Sequence, residues 1–185
     1  PSISGITIDG DLSDWPDGLQ EHAISLVESG QQLKGKEDFA SSFRVGYSAE
    51  EGALYLAIDV RDDSVAVDSV GTDWDSGDAC EVYVDLGHGE GTHKQYVARV
   101  GDHGDGYEVA VERSAYGLVY EWKLIMDRAE QVQSIGLDVA IIDRDDTEDV
   151  SWVTWGKGEL KWRRADRLGD IALLVDSLEV VRLRG

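Results

Sequence analysis

A chain of 185 residues carries 38 acidic against 17 basic side chains, a net charge of -21. Nucleic acids and anionic membranes both require positive potential, so this balance excludes them as partners and favours neutral ligands, cations or a cationic protein. Hydrophobic residues at 42 % exclude a disordered chain and suffice for one domain with a full core.

A short strand is expected at Ile6-Thr7-Ile8, closing on an Asp9-Gly10 turn, with Trp15 as a lid on one end of the core. His22 to Val27 reads as one strand, and Gly30 to Phe39 as a polar loop. Ser42 to Ser48 and Ala53 to Val60 alternate and form a hairpin, with Phe43, Val45, Leu54, Leu56 and Ile58 inward. A long acidic loop, 62–73, leads to Trp74. Further strands are predicted over 93–100, 107–112 and 116–126, with a helical turn possible at 127–133. Gly136 to Asp143 is almost continuously apolar, which predicts a central strand. Strands at 151–155 and 170–175 follow, and Leu178 to Leu183 is a last strand or a tail. Ten or so short strands with closely spaced turns predict an all-β antiparallel sandwich or jelly roll in a single domain, 1–185.

The stretch Asp73 to Asp85 organises the chain. Its first half is a turn-rich loop carrying Trp74, and its second half is a strand. Cys80, Val82 and Val84 share one face, so the only cysteine is a small core residue and no intrachain disulfide exists. Glu81, Tyr83 and Asp85 share the other face. An aromatic plane beside fixed acceptors suits a sugar ring, which has apolar C–H faces and hydroxyl donors. The alternative is a capping Trp and a solvated Glu. Trp122 and Trp152 read as structural.

The ordered series Asp14-Trp15, Leu54 to Val60, Asp62-Asp63, Trp74 with Asp78 to Asp85, Ile135 to Val139, Asp143, Thr154-Trp155 and Leu168 to Leu173 resembles the family-nine carbohydrate-binding modules, over roughly residues 6–175. The resemblance implies a distorted β-sandwich with bound calcium that holds a terminal sugar between two tryptophans. On that pattern Trp74 matches the first tryptophan, Glu81 the acidic ligand residue and Arg99 the arginine of the neighbouring strand. Trp162 matches the second tryptophan, with Trp155 as its rival. Two positions depart from the pattern: Ala140 stands where a glutamine is expected, and Glu159, kept as a candidate contact, where an asparagine is expected. Each lost amide removes hydrogen bonds worth about 0.5–1.5 kcal/mol apiece.

For the implied calcium, the oxygen-rich loops offer Asp62, Asp63, Asp73, Asp143 and Asp145. No nucleophile motif or phosphate loop is present, which predicts a binding protein and not an enzyme. The chain reads as a monomeric soluble domain of a larger polysaccharide-active protein, extracellular or periplasmic, without membrane insertion, and binding a mono-, oligo- or polysaccharide end. The alternative is a ligand-sensing or protein-interaction domain of a bacterial envelope or signalling protein.

Overall fold

The computed structural model describes residues 2–67, 76–87, 93–102, 104–126, 134–145, 150–158, 161–174 and 177–181. Twelve strands are present among them: β1 (His22–Ile24), β2 (Leu26–Gly30), β3 (Phe39–Ser48), β4 (Ala53–Asp62), β5 (Ala79–Asp85), β6 (Lys94–Ala98), β7 (Glu108–Arg113), β8 (Gly117–Ile125), β9 (Ser134–Arg144), β10 (Val150–Thr154), β11 (Gly169–Leu174) and β12 (Ser177–Val181). The helical turns among the described residues are 3-10 turns at Leu12–Asp14 and Ala165–Arg167. Among the described residues, no helix is long and apolar enough to cross a membrane.

The strands form two antiparallel sheets. One runs β1-β3-β4-β8-β7. In the other, β5 lies along one edge of β9, with β6 outside it. The opposite edge of β9 is shared: Ala140 to Arg144 pairs with β10, and Ser134 to Leu137 pairs with β11. Strand β2 extends beyond β10, and β12 beyond β11. The apolar run of β9 is therefore central, as its composition predicts.

Alternation places Leu54, Leu56 and Ile58 of β4, Tyr120 and Trp122 of β8, and Cys80, Val82 and Val84 of β5 in one core between the sheets. The opposite face of β4 is buried too. Ala53, Tyr55 and Ala57 lie beneath Ile3, Trp15 and Leu19. The indole N–H of Trp15 and the backbone N–H groups of Asp9 and Gly10 all donate to Glu121, at 2.7, 3.0 and 2.8 Å. Trp15 thus covers the outer side of a sheet, not an end of the core.

Two expected strands differ. Ile6-Thr7-Ile8 is not a strand: Gly5 has φ +77°, and the Thr7 amide donates to the Asp14 side chain at 2.8 Å instead of to a ladder. His22 to Val27 is two strands in different sheets. The chain crosses at Ser25, whose N–H donates to Thr154 O. The expected turn at 127–133 lies outside the described residues.

Candidate functional site

Strand β5 separates two chemistries by its pleat. Its inner face is apolar. Its outer face carries Glu81 and Tyr83, and with Ala140, Ile142, Trp152 and Leu168 these build a second surface on the outside of the β9 sheet. Glu81 is its hub. One carboxylate oxygen, Oε2, accepts from the Tyr83 hydroxyl at 2.7 Å and the Trp152 indole N–H at 2.9 Å. The other, Oε1, accepts from the Gln95 amide at 3.0 Å. Gln95 also donates to the Tyr83 hydroxyl at 3.2 Å. An ionised carboxylate has about four acceptor positions. Three are filled by neutral donors, which leaves one acceptor position, on the Oε1 side. Burial, and then the nearby Glu81 charge, push the Tyr83 phenol far above its ordinary value, so it remains a donor at any physiological pH.

Glu81 faces Ala140 across the β5–β9 ladder, and Ala140 faces Thr154 across β9–β10. Ala140 packs in one outer cluster with the Trp152 indole. Its N–H supplies a donor where the sequence pattern has an amide. Trp162 stands against it, ring centroids 5.8 Å apart at 63°, and is 45 % exposed. The site therefore presents an aromatic surface beside a fixed polar cluster.

Beneath it lies an ion pair with no solvent exposure. Lys161 Nζ is 2.7 Å from Asp138 Oδ2 and 5.8 Å from the Trp152 ring centroid. Asp138 Oδ1 accepts from the backbone N–H groups of Val139 and Gly156, at 2.8 and 3.0 Å. Burial pushes the Asp138 carboxyl up, while Lys161 and the two amides pull it down.

Of the residues expected at a sugar site, Glu81 and Trp162 lie on this surface. Trp155 does not. It packs inside the core, edge-on to Phe43 at 5.3 Å and to His22 at 5.9 Å. Its N–H still donates to Val139 O at 2.9 Å, so it continues the alternation of β10 and points inward like Val153. Arg99 directly follows β6 and is half-buried. Its N–H donates to Asp102 Oδ2 at 2.8 Å, and its charge reaches the Tyr120 phenol, pulling down a pKa that burial raises. Trp74, Glu159 and Asp73 lie outside the described residues. Trp152, read as structural, is part of the site. Gln95 joins it through Glu81, and alternation along β6 is the signal that places it there.

A second cluster stands at one end of the sandwich. Asp62 closes β4, Asp78 precedes β5 and Asp143 lies near the end of β9. All three are buried, and one carboxylate oxygen from each lies within 4.8 Å of the others. Asp62 accepts from Ser64 N at 2.7 Å, and Asp78 from Ala66 N at 2.7 Å and Arg144 N at 2.9 Å. Burial first, then neighbouring carboxylates, push Asp78 up to about 7 and Asp143 up to about 8. Asp62 is raised in the same way. Three mutually repelling buried acids suit a cation, and an all-oxygen donor set suits a hard one such as calcium. Asp63 and Asp145 belong instead to a group with Asp38, where Lys34 already lies 3.1 Å from Asp145. Sequence reasoning missed Asp78, whose partners come from distant segments.

A family-9 carbohydrate-binding module from Caldicellulosiruptor kristjanssonii, solved in complex with glucose, superposes with a TM-score of 0.77 at 16 % identity, over 95 % of this chain and 95 % of that one. The chain has the fold of a family-nine carbohydrate-binding module. A family-9 module from the same organism in complex with cellotriose gives a TM-score of 0.73 at 15 % identity, over 100 % of this chain and 97 % of that one. A putative carbohydrate-binding protein from Bacteroides uniformis gives 0.51 at 12 % identity, over 75 % of this chain and 78 % of that one. The sequence itself matches no family model and no curated protein. At such identities the likeness to family-nine modules is one of fold, which agrees with the order of motifs in the sequence.

Proposed function

We propose that this chain is a non-catalytic carbohydrate-binding module whose site is the outer face formed by β5, β6, β9 and β10. A sugar ring stacks on Trp162, and one equatorial hydroxyl donates to Glu81. Gln95 supplies further polar contacts, and Trp74 forms the second wall. Arg99 borders the site from the end of β6. The observation that carries this reading is the half-exposed Trp162 beside a carboxylate already fixed by Tyr83, Gln95 and Trp152. Structural neighbours solved with glucose and cellotriose support it. A stacked ring contributes on the order of 1 kcal/mol beyond its buried area, so affinity falls in the micromolar to millimolar range.

Calcium bound by Asp62, Asp78 and Asp143 is part of the proposal. It would neutralise the cluster and tie the ends of β4, β5 and β9 together. The chain would serve as an appended module of a secreted polysaccharide-active protein.

The test is a tryptophan-fluorescence titration with glucose, cellobiose, cellotriose and xylobiose in calcium buffer. A saturable change, lost in Trp162→Ala while the variant stays folded, supports the reading. A flat response from the folded, calcium-loaded protein overturns it and turns attention to a sensing or protein-interaction role.

A further inference from the structure

The loop that carries Trp162 leaves the sheet after Thr154 and rejoins it at Gly169. Both points lie on the same edge of β9. Strand β10 leaves β9 at Ala140, and β11 takes over at Leu137. Asp138 sits in the gap between them and is held in register by Tyr83 on the other edge. Its carboxylate is tied to both ends of the 156–161 segment. Oδ1 accepts the Gly156 N–H at 3.0 Å, and Oδ2 pairs with Lys161 Nζ at 2.7 Å. Lys161 Nζ also donates to Gly156 O. The Gly156 backbone lies so close that a Cβ there would meet Asp138 Oδ2 at 2.7 Å. Trp162 is the next residue after Lys161.

Lysine is almost never fully buried unless paired, and a buried ion pair stabilises no better than an apolar pair of the same volume. Stability alone therefore gives no reason for this pair. Directionality does: an ion pair with a fixed hydrogen-bond pattern admits one loop arrangement where apolar contacts admit several.

We propose that Lys161 and Asp138 form a clasp that sets the position of the Trp162 indole against Trp152, which makes Lys161 a positioning residue of the ligand face. The functional weight of the clasp rests on the sugar-binding reading above; its geometry does not. Released from the clasp, a half-exposed indole samples several rotamers, and a ring stacked on it loses a pre-organised surface.

The test reads the indole pair directly. Two indoles with centroids 5.8 Å apart couple their electronic transitions and give a paired band in circular dichroism, which the difference from Trp162→Ala assigns. Lys161→Met alone leaves a buried carboxylate without its cation and can unfold the chain. The working variant is Asp138→Asn with Lys161→Met, which removes both charges and keeps an oxygen at position 138 for the two backbone donors. Gly156→Ala is the milder variant: it keeps both charges but crowds Asp138. The expected result is loss of the paired band in the double variant and its weakening in Gly156→Ala, with the β-sheet spectrum retained and cellotriose affinity reduced at least tenfold. A band of wild-type strength in the folded double variant, with only the melting temperature lowered, overturns the proposal. If the wild-type protein binds none of the sugars, the sugar-binding reading fails, while the band still decides whether the clasp positions Trp162.

Discussion

Trp152 on β10 donates its indole N–H to Glu81 on β5 at 2.9 Å, across the intervening strand β9. The contact runs diagonally, since Glu81 faces Ala140 whereas Trp152 faces Ile142, two residues along β9. It makes Trp152 both a packing residue and the donor that fixes the carboxylate.

Trp152→Phe is expected to keep the packing and remove the donor. A hydrogen bond to a buried charged group is worth about 1.5–3 kcal/mol, and urea unfolding should show a loss of that size. Ala140→Gln, which restores the residue type of the family pattern, should not restore function. Its side chain would enter the space of the indole, cost about 1–3 kcal/mol through overpacking, and displace Trp152 from Glu81. Unchanged stability in Ala140→Gln would show that the indole does not fill that space.

Trp155 and Trp162 should separate stability from binding. Trp155→Ala empties a core position against Phe43 and is expected to cost about 3–5 kcal/mol. Trp162→Ala removes a half-exposed ring and should change stability by less than about 1 kcal/mol, while abolishing the sugar response. Thermal unfolding and fluorescence titration of the two variants check both halves.

The carboxylate cluster predicts a pH dependence of definite sign. Asp78 and Asp143 have folded-state pKa values of about 7 and about 8, above the ordinary value of 3.8. Between that ordinary value and the raised one, the folded state holds more protons than the unfolded state. Without a cation, the contribution of the cluster to stability is therefore greatest at low pH and falls as pH rises toward 8. A bound divalent cation competes with those protons, so calcium should raise the melting temperature more at pH 8 than at pH 5. Asp78→Asn should remove most of that difference. A calcium effect independent of pH would place the ion elsewhere.

Glu121 holds the N-terminal segment over the outer face of β4 through three donors. Glu121→Leu strands all three. The Trp15 indole is the buried donor of the three, and with an unsatisfied buried donor costing about 1–3 kcal/mol, hydrogen exchange should show the Asp9, Gly10 and Trp15 region opening below the global unfolding threshold.

The two faces of β5 and the inward residues of β4 were legible because alternation is a local property of a pleated strand. So was the central place of β9, through its apolar run. What could not be read depends on where the chain goes next. Trp152 and Trp155 stand three apart, so the pleat puts them on opposite faces, but which face lies outward is set by the layers packed around them. Asp78 resembles any turn residue until the ends of β4 and β9 arrive beside it. Lys161, in a segment rich in Lys and Arg, resembles a solvated charge. Its burial follows from the position of Asp138 in the gap between β10 and β11, which no local pattern encodes.

The crossing at Ser25 has a mechanical consequence. A single piece of chain supplies the outermost strand of one sheet, β1, and that of the other, β2. Edge strands are where sheets normally pair with foreign chains or slide. Here the two exposed margins on that side are covalently continuous, so neither sheet can shift along the other without stretching the Ile24–Leu26 link. Strand β2 backs β10 directly, and β10 carries Trp152. The outer face that carries Glu81 and Trp152 is thus stapled to the opposite layer of the sandwich at its own margin, so a force applied to that face loads both sheets together.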